Sequence, residues 1–203
     1  MVSAALLHRF RHIATLRYWK PVQTGIEADD DTAEVLRLSG ASPYRVLRDG
    51  VRLRQPLSPH LSAALAGTSI SLGALMDLAW SQAETDRWIV EGAGGVLVPL
   101  NDQTLMIDLI TVLGLPVVIA ARSGLGTINH TLLTVEALRA RAVHIAGVVM
   151  VGAPNVDNRI AIETRGHVSV VGELVDLDPL APDSVQRAAA SIASGGELDP
   201  FFL

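Results

Sequence analysis

The sequence contains no cysteine. Disulfide bonds, thiolate catalysis and zinc sites with cysteine ligands are therefore excluded. It also lacks any cluster of lysine and arginine, and its formal net charge is −5. Nucleic acid is thus not expected as a partner, because a protein that binds the phosphate backbone concentrates positive charge on one face.

A third absence concerns apolar runs, none of which approaches the roughly 18 residues of a membrane span. The run from Leu113 to Ala121 is interrupted by Gly114 and Pro116. The chain is still 49% hydrophobic, with a mean hydropathy of +0.36. Parallel strands that are buried on both faces explain this composition, and no membrane partner is expected.

The N-terminal segment, residues 1–16, is apolar at first and basic afterwards. A secretory signal has the opposite order and ends in a cleavage site. We interpret this segment as an amphipathic helix and expect a cytoplasmic protein.

Short apolar runs alternate with longer segments of helical periodicity. This order predicts an α/β fold with a mostly parallel sheet and helices on both faces. No repeat or low-complexity stretch divides the chain, so we predict one domain over residues 1–203. The predicted strands are residues 16–19, 88–90, 116–120, 145–150 and 168–171. The predicted helices are residues 2–13, 32–38, 72–84, 104–113, 128–141, 158–163 and 184–193.

Polar and glycine-rich segments follow several predicted strands. They comprise residues 20–25, 91–95, 122–129 and 151–155. In open parallel sheets, ligands bind beyond the carboxyl ends of the strands. We therefore expect these segments to form one polar rim.

Two side chains at this predicted rim could carry chemistry. Glu91 ends an apolar strand and precedes a glycine-rich turn, which suits a Mg²⁺ ligand beside an anionic substrate; the alternative is a tight turn with an incidental acid. Lys20 also ends a strand, and its cation could neutralise phosphate or carbamate oxygens. The alternative for Lys20 is a solvated strand end. Thr24 offers a hydroxyl four residues later.

Three acids, residues 29–31, directly precede a predicted helix. Acids suit a helix N-terminus for electrostatic reasons alone, but Asp31 could also face Glu91 across a metal ion. The turn at residues 124–130 opens another helix, whose free N–H groups could receive a carboxylate. The alternative is an ordinary strand-to-helix turn, in which His130 is a packing residue.

Taken in order, these segments resemble the dethiobiotin synthetase family, which has the fold of the phosphate-loop (P-loop) NTPases. The pair KPVQTG and VEGAGG, at this separation, is specific, whereas either motif alone would not be. The segments that carry the resemblance are residues 18–25, 29–31, 58–60, 90–95, 124–130 and 171–174.

The resemblance implies an ATP-dependent ligase of biotin biosynthesis. The family closes the cyclic urea of dethiobiotin from 7,8-diaminopelargonic acid, CO₂ and ATP with Mg²⁺, through a carbamate and a carbamic-phosphate intermediate. By this resemblance, Lys20 is catalytic, and Asp31 and Glu91 hold Mg²⁺ with its nucleotide. The base is read either by Asn155 or by backbone groups near it. A homodimer is also implied. The implied substrate-binding residues are Thr24, Gly92, Ala93, Gly94, Gly95, Gly126, Thr127, Ile128 and Asn129.

One part of the family pattern is absent, because the sequence contains no G-x-x-x-x-G-K-[ST] loop. Residues 1–7 look like the helix that follows this loop in the family. We therefore expect the 203-residue chain to derive from a protein longer by one strand and one loop. The alternatives are an inactive remnant that binds the diamine or dimerises, and a related amide-forming or partition-type P-loop NTPase.

Overall fold

A computed structural model describes residues 1–202 and contains short parallel strands packed between helices. Two sheets have three strands each, and a further pair of strands stands apart. The strands are β1 (Leu16–Trp19), β2 (Val22–Gln23), β3 (Val46–Leu47), β4 (Val51–Arg52), β5 (Arg87–Val90), β6 (Val117–Arg122), β7 (Ile145–Val151) and β8 (Val170–Leu174).

Every pairing between these strands is parallel. Strand β1 lies between β3 and β5, while β7 lies between β6 and β8. The two-residue strands β2 and β4 pair with each other. The predicted α/β class with parallel strands is therefore confirmed.

Strands β5 and β6 each have one edge without a strand partner within residues 1–202. Strand β5 pairs only with β1, and β6 pairs only with β7. Ala120 and Arg122, on β6, are exposed although they lie on a strand. The described sheet is thus divided between β5 and β6.

Helices cover the strands and account for most of the remaining chain. The predicted helices all occur, with shifted ends, and two short ones at residues 59–65 and 199–202 were not predicted. The helices are α1 (Val2–Arg9), α2 (Asp31–Ser39), α3 (Pro59–Leu65), α4 (Leu72–Trp80), α5 (Met106–Leu113), α6 (Thr127–Ala140), α7 (Val156–Gly166), α8 (Pro182–Ala188) and α9 (Asp199–Phe202).

Some predicted boundaries were wrong for local reasons. Helix α1 stops at Arg9 rather than at residue 13, because residues 10–15 form successive turns, with Ile13 N donating to Phe10 O. Helix α3, which was not predicted, begins with Pro59 after Ser58. Proline is favourable at this first position because it lacks the N–H that would be unsatisfied there. Strand β8 runs on to Leu174, because its pairing with β7 continues past Gly172.

Helix α2 carries clear signals at both ends. The side chain of Asp30 accepts a 3.1 Å hydrogen bond from Ala33 N, which caps the first turn. Gly40 ends the helix in the left-handed conformation with φ of +67°, which residues with a Cβ adopt at a cost. These caps fix where α2 begins, and hence where Asp31 lies.

The apolar core follows the alternation of side chains along β1. Tyr18 packs with α1, α2 and α8, whereas Trp19 packs on the opposite side with α4 and α5. Residues on α1, including Leu6 and Leu7, are buried. Among residues 1–202, no helix has the length and apolar character required to cross a membrane.

Gly147 on β7 provides a test of this packing. A Cβ at this position would lie 2.5 Å from Val171 Cγ1, and its φ is +155°. Gly147→Ala should therefore lower the free energy of unfolding by about 1–3 kcal/mol, measured by urea denaturation. The matched control is Gly73→Ala in α4, where a Cβ meets nothing closer than 3.7 Å; it should raise stability by about 0.5–1 kcal/mol. Equal stability of the two variants would contradict the packing around β7.

Candidate functional site

Lys20 lies at the carboxyl end of β1 and is the centre of a charged cluster. It is the only lysine in the sequence, and its side chain is buried, with 6% relative exposure. Its Nζ lies 2.5 Å from Asp31 Oδ2 and 2.9 Å from Glu91 Oε1. The alternative interpretation of Lys20 as a solvated strand end therefore does not hold, since the side chain is buried and both carboxylates neutralise the ammonium.

Strand register and helix capping bring these three residues together. Trp19 pairs with Val90 in the parallel ladder, and Glu91 N donates to Trp19 O at 2.8 Å. Lys20 and Glu91 therefore leave adjacent strands side by side. Asp31 reaches the same point as the first residue of α2, directly after its capping residue Asp30. Asp31 and Glu91 therefore converge, and the group between them in this structure is the Lys20 ammonium. Their role as Mg²⁺ ligands stays a prediction.

The second oxygen of the Glu91 carboxylate has its own partners. The Tyr18 hydroxyl donates to Glu91 Oε2 at 3.2 Å, and the Ser3 hydroxyl donates to the same oxygen. Tyr18 is fully buried. Neither residue was predicted from the sequence to belong to the site. Tyr18 could have been found, since residues 18 and 20 of a strand point to the same face.

The cluster shifts the pKa of both its cation and its phenol. Burial alone would lower the pKa of Lys20, but the charge of Glu91 and the hydrogen bonds to Asp31 and Glu91 raise it above the usual 10.5. The pKa of Tyr18 is raised, first by burial and then by the neighbouring Glu91 charge. Lys20 is therefore a cation and Tyr18 a neutral donor at physiological pH.

A cavity of about 330 Å³ opens beside Lys20. It brings together four of the predicted site residues with Lys20 itself, because the turns after β1, β2 and β5 meet there. Neither Gly92 nor Gly95 is among its lining residues, although Gly92 O accepts from Lys20 Nζ at 3.4 Å. The lining residues are Lys20, Gln23, Thr24, Asp31, Leu57, Ser58, Pro59, Ala93, Gly94 and Val98.

Gly94 is required by the backbone that forms this wall. Its φ is +81°, and a Cβ would lie 2.9 Å from Val98 Cγ2. The turn at residues 91–95 therefore brings main-chain groups close to the cavity without a side chain in between. This agrees with the predicted reason for glycine in the segment.

The turn that was predicted to receive a carboxylate, residues 124–130, does not lie beside Lys20. Gly126 caps α6 with φ of +88°, and Thr127 is buried while Asn129 is exposed. This segment follows β6 and does not line the cavity beside Lys20. The single described chain therefore does not join the N-terminus of α6 to the Lys20 cluster.

Asn155 has a structural role in this conformation. Its side-chain oxygen accepts from Asn158 N at 2.9 Å and caps α7. Asn158 in turn donates its side-chain amide to Ser123 O at 2.8 Å, which ties α7 to the turn after β6. Reading of a nucleotide base by Asn155 stays a prediction.

The carboxylates fit one kind of metal ion better than others. Within residues 1–202, no group of three or more histidine, aspartate or glutamate side chains is placed to hold a metal ion. A fully protein-ligated zinc or calcium site would need such a group. Mg²⁺ typically takes one or two carboxylates and fills its other positions with phosphate and water oxygens. Asp31 and Glu91 match this smaller requirement.

Comparisons with known proteins match most of the chain. The AAA_26 family model, described as an AAA domain, matches residues 1–184. The ATP-dependent dethiobiotin synthetase BioD of Brucella melitensis is 44% identical over 188 residues, which cover 93% of this chain and 85% of that protein. The protein of the same name from Nitrobacter hamburgensis is 45% identical over 185 residues, covering 91% of this chain and 84% of the relative.

Replacing Lys20 tests the electrostatics of the cluster. Lys20→Met leaves two carboxylates facing each other. It should lower the free energy of unfolding by about 1–3 kcal/mol, a value between those typical for the loss of an exposed and of a buried salt bridge. Because the folded-state pKa lies above the usual 10.5, the stabilisation by Lys20 is complete below that pH and is lost as pH rises through the folded-state pKa. Urea denaturation across this range should show a constant difference at neutral pH and a shrinking one in strong alkali. A Lys20→Met variant as stable as the wild type at neutral pH would contradict the ion pairs.

Proposed function

This chain belongs to the AAA_26 family of AAA domains and to the dethiobiotin synthetases, and we propose that it is the ATP-dependent ligase that makes dethiobiotin in biotin biosynthesis. Its substrates are 7,8-diaminopelargonic acid, CO₂ and ATP. The observation that carries the proposal is the buried Lys20 ammonium between Asp31 and Glu91 at the mouth of a cavity. Such a site suits a reaction in which negative charge develops on oxygen atoms.

The reaction has three steps. One amine nitrogen of the diamine bonds to the carbon of CO₂ and loses a proton, which gives a carbamate. A carbamate oxygen then takes the γ-phosphoryl group of ATP, and ADP leaves. The second amine attacks the carbamate carbon and loses a proton to solvent. The bond from that carbon to the phosphate-bearing oxygen breaks, and phosphate leaves as the ring closes.

Lys20 is the catalytic residue in this proposal. Its Nζ is fixed by two ion pairs, so it needs little reorganisation to stabilise the carbamate and the oxygens of the transferred phosphoryl group. Thr24 lines the same cavity and is proposed to hydrogen-bond the carbamate end. The backbone at Gly92, Ala93, Gly94 and Gly95 lies along the diamine.

Asp31 and Glu91 are the proposed Mg²⁺ ligands. Their oxygens converge within 3 Å of a single point, the Lys20 ammonium, which supports binding of a cation between them. When bound with ATP, Mg²⁺ neutralises phosphate charge. Tyr18 and Ser3 hold the second oxygen of Glu91 and so orient its carboxylate.

The substrate carboxylate is proposed to bind the N-terminus of α6 at Gly126, Thr127, Ile128 and Asn129 in the second protomer of a homodimer. Free N–H groups at a helix start favour an anion. Exposed apolar side chains next to this segment support a protein interface there. They are Leu125, Leu133, Val156 and Ile160.

We propose a cytoplasmic location. The apolar N-terminal segment is packed into the core as α1, with Ala4, Ala5, Leu6 and Leu7 buried, and the sequence has no cysteine. Asn155 is proposed to read the base of ATP, whereas the G-x-x-x-x-G-K-T loop that would bind its phosphates is not within residues 1–203.

The direct test is dethiobiotin formation from the diamine, bicarbonate and Mg·ATP. The assay compares the 203-residue chain with a chain extended at its N-terminus by a strand and a G-x-x-x-x-G-K-T loop. We expect product from the extended chain only when ATP and Mg²⁺ are both present. Lys20→Ala should reduce turnover by about 10²–10³-fold, while the control Arg165→Ala, at an exposed position on α7, should not change it. No product from either chain would refute the proposal, and equal turnover of Lys20→Ala would remove Lys20 from the mechanism.

A further inference from the structure

Gln23, at the end of β2, makes side-chain bonds that the proposed mechanism does not use. It is almost fully buried, with 2% exposure, although its side chain is polar. Its Nε2 donates to two main-chain carbonyls, Thr24 O at 2.9 Å and Asp29 O at 3.0 Å. Because both acceptors are carbonyl oxygens, the orientation of the amide is fixed.

The two acceptors lie at opposite ends of one loop, residues 24–29. Main-chain hydrogen bonds hold this loop to the segment at residues 53–55. Gly25 N donates to Gln55 O at 3.1 Å, and Ile26 N donates to Leu53 O at 3.2 Å. Within the loop, Asp29 N donates to Gly25 O at 3.0 Å. The Gln23 amide adds the side-chain connection between the two arms of the loop.

Both arms lead directly to proposed site residues. Thr24 faces the cavity from the first arm. Asp29 is followed by the capping residue Asp30 and then by Asp31, whose carboxylate contacts Lys20. Any displacement of Asp29 would therefore move the start of α2 relative to Lys20.

We propose that Gln23 is a positioning residue, whose amide clamps residues 24 and 29 and so sets Thr24 and Asp31 at their distances from Lys20. The clamp itself rests on the observed hydrogen bonds, whereas its effect on turnover rests on the proposed function. The buried Gln23 Oε1 has no hydrogen-bond partner among the described residues. The two side-chain hydrogen bonds of Gln23 are both donated by Nε2.

The variants separate the two ends of the amide. Gln23→Met keeps the length of the side chain but removes its donors and its oxygen. Gln23→Glu keeps oxygen atoms and removes the donors, so it faces two carbonyls with a carboxylate. Gln23→Asn keeps the amide but is one methylene shorter, and it serves if the other two variants do not fold. The matched control is Gln82→Met, because Gln82 also donates to a main-chain carbonyl, Leu78 O at 3.1 Å, but lies in the turn that follows α4.

Amide hydrogen exchange of the native protein is the first measurement. All three Gln23 variants should raise exchange of the amides of residues 25–31 by about tenfold, with little change in β7 and α6. The Gln82→Met control should leave residues 25–31 at wild-type protection. Unchanged protection of this loop in the folded Gln23 variants would overturn the proposal, whatever their activity.

The second measurement is the steady-state kinetics of dethiobiotin formation, with the Gln23 variants made in the N-terminally extended chain. A misplaced Asp31 should lower kcat by about 10- to 100-fold, with a smaller change in the KM for the diamine. If Gln23 Oε1 instead bound the substrate, Gln23→Glu would retain kcat while Gln23→Met raised KM, and the positioning role would be overturned. Absence of dethiobiotin formation by both the 203-residue chain and the extended chain would refute the proposed function and leave the exchange experiment to decide the clamp.

Discussion

The ion pairs from Lys20 to Asp31 and Glu91 are the interaction on which the rest of the site depends. A buried ammonium is stable only when nearby carboxylates compensate for its lost hydration. Here the compensation comes from two separate elements, the turn after β5 and the first residue of α2. Strand register and helix capping must therefore both be correct before the cation can be buried. The cluster thereby links the position of α2 to the sheet.

Neutral hydrogen bonds around this cluster fix the carboxylates that hold the cation. Tyr18 and Ser3 donate hydrogen bonds to Glu91 Oε2, which leaves Oε1 for Lys20. On the other side, Gln23 holds the loop that leads to Asp31. The site is thus built from rigid strand ends and one clamped loop, an arrangement that keeps charges in place during a reaction. Such preorganisation is what a ligase needs to stabilise carbamate and phosphoryl oxygens.

Much of this arrangement could be predicted from the sequence, because parallel strands end at a common edge. That rule placed Lys20 and Glu91 together, and acids at a helix start placed Asp31 nearby. Tyr18 could also have been placed, because it points to the same face of the strand as Lys20. The contacts of Ser3 and Gln23 could not be predicted, because each depends on a partner distant in sequence or on the path of an irregular loop. The two-residue strands and the early end of α1 were missed because short elements carry almost no periodic signal. The N-terminus of α6 was predicted as an anion site, but one chain alone does not bring it to Lys20.

The most direct test of the ion pairs from Lys20 to Asp31 and Glu91 is the titration of the Lys20 ammonium. Since Lys20 is the only lysine in the sequence, a sample labelled with ¹³C and ¹⁵N in lysine gives one side-chain signal by NMR. We predict that this signal titrates above the usual pKa of 10.5 in the wild type and at a lower pH in Glu91→Gln, because that variant loses the charge with the largest stabilising effect on the ammonium. A wild-type pKa at or below 10.5 that Glu91→Gln does not change would contradict the central role of the ion pairs.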